Sequence, residues 1–437
     1  MVLGTYLVCD EMASAQMLAL TGGVTLGLAG LLFVLSRRVL FSVGLTAALV
    51  AAVVAISLAK FHFMSVSLHS YDIVFYLTSK PTVIFLIDNF LPEFAGLIAL
   101  LAAIAILAIA AYRHDALQVP RWTGLAVVAL AAVLVGLNHE SGRPSAFSYF
   151  KGTYPLSVFY DSFRATATML MRGELFEAAA ATAAPPFQKA ETCAPPAKLP
   201  HILLIHQESM VPFKFFPSQV YDPAQDSLFT SGDGKIHKLR VETHGGASWL
   251  TEFSIFSGVS SMSFGNMSLF VQALMRNRVH EAVPQVLANC GYRTAVFYPL
   301  DRNFVGNGPF YTSIGMHKIF DRASQGLKAY VQRDNVYYKN ALDYIGQSLS
   351  EARTPLFVFL LTSSGHQPYT SALSPETNVQ SRAPGSDPII NEYLRRQSMA
   401  RIDFETFRAE LKTRFPHESF LIVQYGDHQP YALILRG

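Results

Sequence analysis

Three short segments of this 437-residue chain carry side chains able to bind a cation or move a proton. They are Gln207-Glu208-Ser209, Ser363-Ser364-Gly365-His366 and Gly426-Asp427-His428. Carboxylate oxygens together with imidazole nitrogens form a donor set for zinc or manganese. A fourth segment, Glu242 to Gly258 (ETHGGASWLTEFSIFSG), is rich in hydroxyls. Gly245-Gly246 can form a tight turn there, and a helix can begin directly after Ser248. A hydroxyl at that place faces unpaired N–H groups and the positive end of the helix dipole, which suits an anion such as phosphate. Beside a metal ion the same hydroxyl would lose its proton readily and become a nucleophile. Each feature alone has an ordinary explanation, since an acidic residue after a strand is usually a cap or a solvated loop residue. Ser248 alone reads as a helix N-cap. Three separate segments with ligand-type residues, one an adjacent Asp-His pair, are a rarer coincidence even among 13 histidines.

Each of these three segments follows an apolar run of strand length. The runs are His201–His206, Leu356–Thr362 and Phe420–Tyr425, with Arg293–Tyr298 as a fourth. Continuous apolar runs this short fit strands buried on both faces. Amphipathic stretches such as Ala282–Asn289 and Val336–Ser348 lie between them. The alternation predicts an α/β domain with a mostly parallel sheet flanked by helices. Ligands bind at the carboxyl ends of strands in such sheets, so Glu208, His366, Asp427 and His428 are expected on one rim.

Composition describes a different first part. Hydrophobic residues make up 51% of the chain and charged residues 15%, against roughly 25% charged in soluble domains. That excludes a disordered chain. A net charge of +3 gives no support for nucleic-acid binding. The apolar excess sits at the N-terminus, where residues 17–36 and 39–59 carry no charge, 94–112 form a third run and 122–137 a shorter fourth. A spanning helix needs about 20 apolar residues. Ile73–Phe90 is broken by Lys80-Pro81 and carries Asp88, so it reads as interfacial or re-entrant. With Val2–Cys9 as a further candidate, four or five spans are expected. The first run is too long, and too soon followed by another, for a cleaved signal peptide. Arg37-Arg38 and Arg113 with Arg121 mark two cytoplasmic loops, which puts the rest of the chain outside. The expected organisation is a transmembrane domain over 1–139, a connector and Pro/Ala-rich linker over 140–200, and an extracytoplasmic domain over 201–437.

Taken together, these residues resemble the alkaline phosphatase/sulfatase superfamily. Within it they look most like the membrane phosphoglycerol transferases, such as lipoteichoic acid synthase and the periplasmic-glucan enzyme. The resemblance implies one divalent metal ion, manganese first with magnesium or zinc as alternatives, held by Glu208, Ser248, Asp427 and His428. It implies Ser248 as the nucleophile, four residues before Glu252-Phe253, with Thr251 as its rival. His366, in GHQPY, corresponds to a phosphate-binding or proton-transfer residue, and Arg302 lies near the family's basic substrate-binding position. The implied reaction moves a phosphoglycerol head group from a membrane phospholipid to a glycan or lipid acceptor through a covalent phospho-serine or -threonine. Its partners are the donor lipid, the acceptor and the bilayer, with no nucleic acid, and its place is the bacterial inner membrane with the catalytic domain in the periplasm. A phosphoethanolamine transferase or phosphodiesterase of the same superfamily is the first alternative. A degenerate, metal-free membrane sensor or assembly protein is the second. Type I sulfatases are set aside, because no Cys/Ser-x-Pro-x-Arg motif occurs. Cys193 and Cys290 can pair in an oxidising compartment. The chain ends at Gly437, soon after His428, which reads as a shortened or atypical C-terminus for that family.

Overall fold

The computed structural model describes residues 15–64, 66–77, 80–117, 119–136, 155–172, 193, 199–216, 221–379 and 387–430. The Val2–Cys9 candidate span, most of the linker and the last seven residues lie outside them. The chain divides into two compact units, Met1–Leu175 and Phe176–Gly437.

The first unit is helical. Helices α1 (Ala15–Ser36), α2 (Val39–Met64) and α4 (Leu91–His114) each contain a stretch long and apolar enough to cross a membrane. Helix α5 (Arg121–Gly136) is apolar but, at 16 residues, shorter. Between α2 and α4 the chain makes a one-turn helix Ser70–Asp72, a π-helical turn Ile73–Leu77 and helix α3 (Lys80–Asn89). This interrupted path matches the broken apolar pattern of the sequence. Lys60 pairs with Asp72 at 2.8 Å, which satisfies two charges that would be expensive to leave unpaired so close to apolar helices. Helix α6 (Ser157–Arg172) closes the described part of this unit.

The second unit is built on a parallel five-stranded sheet. Its strands are β1 (His201–Gln207), β2 (Arg293–Phe297), β3 (Lys318–Phe320), β4 (Leu356–Leu361) and β5 (Phe420–Gly426), in the order β3-β2-β4-β1-β5. All pairings are parallel, which requires crossover connections, and helices supply them. They are α7 (Ser248–Ser257), α8 (Val283–Asn289), α9 (Asn307–Ser313), α10 (Asn335–Glu351) and α11 (Pro388–Arg414). Central strand β4 is buried along its whole length. On one sheet face Leu203, Ile205, Val358 and Leu360 pack with Tyr338, Leu342 and Ile345 of α10 and Phe407 and Leu411 of α11. On the other, Phe359 meets Phe256 of α7 at 4.7 Å between ring centres. Helices on both faces leave the carboxyl edge of the sheet as the open rim. Cys193 and Cys290 form a disulfide, joining the linker to the end of α8.

Candidate metal and phosphate site

Sheet register brings the ligand-type residues to one level. Gln207 at the end of β1 pairs with Gly426 at the end of β5, so Glu208 and Asp427 leave neighbouring strands together. The β1 chain turns at once, with Ser209 in the left-handed region at φ 54°. Its amide donates to Asp427 Oδ1 at 2.7 Å, and its hydroxyl donates to Glu208 Oε1 at 2.9 Å. Two glycines make the close approach of these loops feasible. A Cβ on Gly365 would fall 2.0 Å from the Glu208 carbonyl oxygen, and one on Gly426 would fall 1.7 Å from the Met210 carbonyl oxygen. Only a residue without a side chain fits either place.

The hydroxyl segment arrives from the other sheet face. Gly245, at φ 71°, donates its amide to the Gln429 carbonyl at 2.8 Å. Ala247 occupies the N-cap of α7 in the left-handed region (φ 60°, ψ 44°), a strained backbone for a residue with a Cβ. Ser248 is therefore the first helical residue and not the N-cap, and its half-buried side chain is turned into the rim. Ser248 Oγ donates to Glu208 Oε2 at 2.9 Å and lies 3.4 Å from His428 Nε2. Thr251, one turn on, is buried and donates to the Asp427 main-chain carbonyl at 2.9 Å.

The cluster is tight. His428 Nε2 lies 3.3 Å from Glu208 Oε1 and 3.2 Å from Asp427 Oδ2. His206 Nε2 lies 3.1 Å from the same Asp427 oxygen. Donor atoms bound at about 2.0–2.2 Å around one tetrahedral ion stand about 3.3–3.6 Å apart, close to these separations. Asp427 Oδ2 and His206 Nε2 are both buried and make no aligned hydrogen bond, so the Asp427 oxygen is answered by the two imidazoles beside it, where an ion could also sit. One donor atom each from His206, Glu208 and Asp427 lies within 4.8 Å of the others. The residues fit a divalent ion.

Charge within the cluster is balanced by pairing. Burial alone would push the Glu208 carboxyl up, but the hydrogen bond and charge of His428 outweigh it, with help from His366 and His206. They hold Glu208 well below the usual carboxylate range. Burial pulls the His428 imidazole down, while the charge of Asp427 and the contacts with Glu208 carry it up to about 9. Behind the cluster Glu252 is buried and accepts a hydrogen bond from the Tyr311 hydroxyl. Burial raises its carboxyl to about 7, against the pull of His206 and Tyr311.

His366 lies in the loop after β4, packed edge-on against the Tyr330 ring at 4.5 Å. Its Nδ1 donates to the Gln367 carbonyl, and its charge reaches Glu208. Arg396 of α11 fastens this loop. Its guanidinium donates to the carbonyls of His366 (2.7 Å), Pro368 (3.0 Å) and Ser371 (3.1 Å) while bonding Glu392 Oε1 at 2.7 Å. Arg302 is elsewhere: exposed, it lines a polar cleft of about 500 Å³ with Arg276, Asn277, Asn303 and Thr312. None of the cluster residues lines that cleft.

Of the expected site residues, Glu208, Ser248, Asp427 and His428 converge directly. His366 stands near enough for its charge to act on Glu208, and Arg302 lines a separate cleft. His206 was outside the expected set. It lies inside the apolar run of β1, where residue type and position mark nothing but a buried strand.

Residues 240–433 match the family model for Sulfatase. An uncharacterised protein of Haemophilus influenzae is 24% identical over 241 residues, which cover 53% of this chain and 41% of that protein. Lipoteichoic acid synthase of Staphylococcus saprophyticus is 23% identical over 243 residues, covering 53% of this chain and 36% of the synthase. The chain thus aligns with about two fifths of the length of these relatives. The structure of the lipooligosaccharide phosphoethanolamine transferase EptA of Neisseria meningitidis superposes with a TM-score of 0.50 at 15% identity, covering 91% of this chain and 74% of that one. That likeness carries the fold, apolar helices followed by a parallel-sheet domain. Over residues 240–433, a little under half of its length, the chain is thus similar to the Sulfatase family.

Proposed function

We propose that this protein transfers a phosphoglycerol-type head group from a membrane phospholipid to a hydroxyl of a glycan or lipid acceptor, with Ser248 as the nucleophile. The observation that carries the reading is the placement of Ser248 Oγ on the first turn of α7, 2.9 Å from Glu208 and 3.4 Å from His428. Glu208, Asp427, His428 and Ser248 Oγ would hold one divalent ion, which supplies charge to lower the pKa of the hydroxyl and to stabilise phosphate oxygens. In the first step Ser248 Oγ, already ionised with its proton released to water, bonds to phosphorus, and in the second it leaves again as the alkoxide. The bond from phosphorus to the diacylglycerol oxygen breaks, and that oxygen takes a proton from His366. In the second step His366 accepts the proton of the acceptor hydroxyl. The acceptor oxygen bonds to phosphorus, and the bond to Ser248 Oγ breaks. The N–H groups opening α7 favour the phosphate's negative charge. The apolar helices of the first unit would keep the domain at the bilayer surface, near its donor.

The test is Ser248→Ala beside Thr251→Ala in membranes containing labelled phosphatidylglycerol. Ser248→Ala is expected to abolish both transfer and the covalent adduct, while Thr251→Ala retains an adduct on Ser248. Full transfer by Ser248→Ala defeats the assignment. The mass of the trapped adduct separates phosphoglycerol from phosphoethanolamine.

A further inference from the structure

The ligand set implied by the family resemblance leaves one imidazole in this cluster unaccounted for. His206 is fully buried at the end of β1, and its Nε2 points at Asp427 Oδ2 from 3.1 Å. The two atoms pair by charge and proximity, without the alignment of a hydrogen bond. The opposite ring nitrogen, Nδ1, lies 3.1 Å from the Tyr425 hydroxyl. The ring is further fixed by Phe359 at 6.2 Å and by Tyr425 itself at 5.2 Å. Donation from Nδ1–H to Tyr425 leaves the lone pair of Nε2 facing the cluster, the arrangement by which an outer hydrogen bond fixes the tautomer of a ligating histidine. Asp427 Oδ2 then sits between two imidazoles, 3.1 Å from His206 Nε2 and 3.2 Å from His428 Nε2. Both separations fall within a few tenths of an ångström of the roughly 3.3–3.6 Å between donor atoms that share a tetrahedral ion.

We propose that His206 is itself a metal ligand, so that this centre presents two imidazoles with the carboxylates of Glu208 and Asp427 and is set for zinc. Imidazole donors suit zinc, whereas all-oxygen sites suit magnesium and manganese. A second imidazole therefore moves the choice of ion away from the manganese expected from the resemblance. The inference rests on reading this cluster as a metal centre, and its test reads the metal and not turnover.

The full-length protein in detergent micelles is stripped with chelator, loaded with zinc alone and measured by X-ray absorption at the zinc edge. Two imidazole shells are expected in the wild-type chain and one in His206→Gln. In competition between zinc and manganese, the variant is expected to lose zinc preference by about tenfold or more. One imidazole in the wild-type spectrum overturns the proposal whatever the fate of the variant, so poor folding of His206→Gln does not protect it. No zinc uptake at all overturns the metal-centre reading as well. A Ser248→Ala chain that still transfers, with two imidazoles at its zinc, defeats the nucleophile assignment and leaves this proposal standing.

Discussion

Asp334 shows what the interior of this domain does to an acidic side chain. It is fully buried, accepts the Ser364 amide at 3.0 Å on one oxygen and has no partner on the other. Burial, with the like charge of Asp403, raises its carboxyl to about 7. The unfolded chain ionises it near 3.9. The native state therefore holds the proton more tightly, and stability falls as pH rises from about 4 through 7. Asp334→Asn, which can keep the Ser364 contact, is expected to gain on the wild type by on the order of 2 kcal/mol between pH 5 and pH 8. Thermal melts at the two pH values measure this, and an unchanged gap contradicts it. At this scale the sequence was informative where residue type met position. Glu208, Asp427 and His428 were legible because each follows an apolar strand. His206 was not, because it lies within a run that reads simply as buried strand.

Elements were legible in proportion to how cleanly their apolar residues were spaced. The four predicted strands appear with ends shifted by a residue or less. Strand β3 has three residues, begins with exposed Lys318 and carries too little pattern to be seen. The 27-residue helix α11 was hidden for the opposite reason: its buried face includes Glu392, Arg396, Gln397, Ser398 and Asp403, so no apolar stripe marks it. Those buried polar groups have work at the site, since Arg396 gathers three carbonyls of the His366 loop. Arg396→Ala is expected to lower kcat about tenfold with a smaller change in KM, because the loop is loosened while the cluster stays intact. Arg396→Lys should recover only part of the loss, since an ammonium cannot reproduce the planar fork. Equal kcat in the alanine variant would show that the loop holds itself.

On the scale of the whole chain, the split between an apolar helical unit and a mixed α/β unit was already present in composition. The side of the membrane occupied by the second unit has its own reporter. The disulfide joins residues 97 apart in sequence, and such bonds persist only in oxidising compartments. Non-reducing electrophoresis of protein taken directly from cells should show Cys193 and Cys290 oxidised if the domain faces outward; free thiols would place it inside. Cys290→Ser is expected to destabilise the second unit by about 2–4 kcal/mol, the usual return from closing a long loop, measured as a lowered denaturation midpoint.

The glycine contacts at Gly365 and Gly426 have a thermodynamic consequence of their own. They press the backbones after β4 and β5 onto the 208–210 turn, and Thr251 ties α7 to the same place. Four segments far apart in the chain thus end at one point, and an ion there would act as a rivet through all of them. An ion bound by the folded domain alone stabilises it by about 2.7 kcal/mol at a hundred times its dissociation constant. Calorimetry with and without chelator should then show the α/β unit melting earlier once stripped, while the transition of the apolar helices stays where it was. Ion occupancy in this protein would be readable as heat, without any substrate.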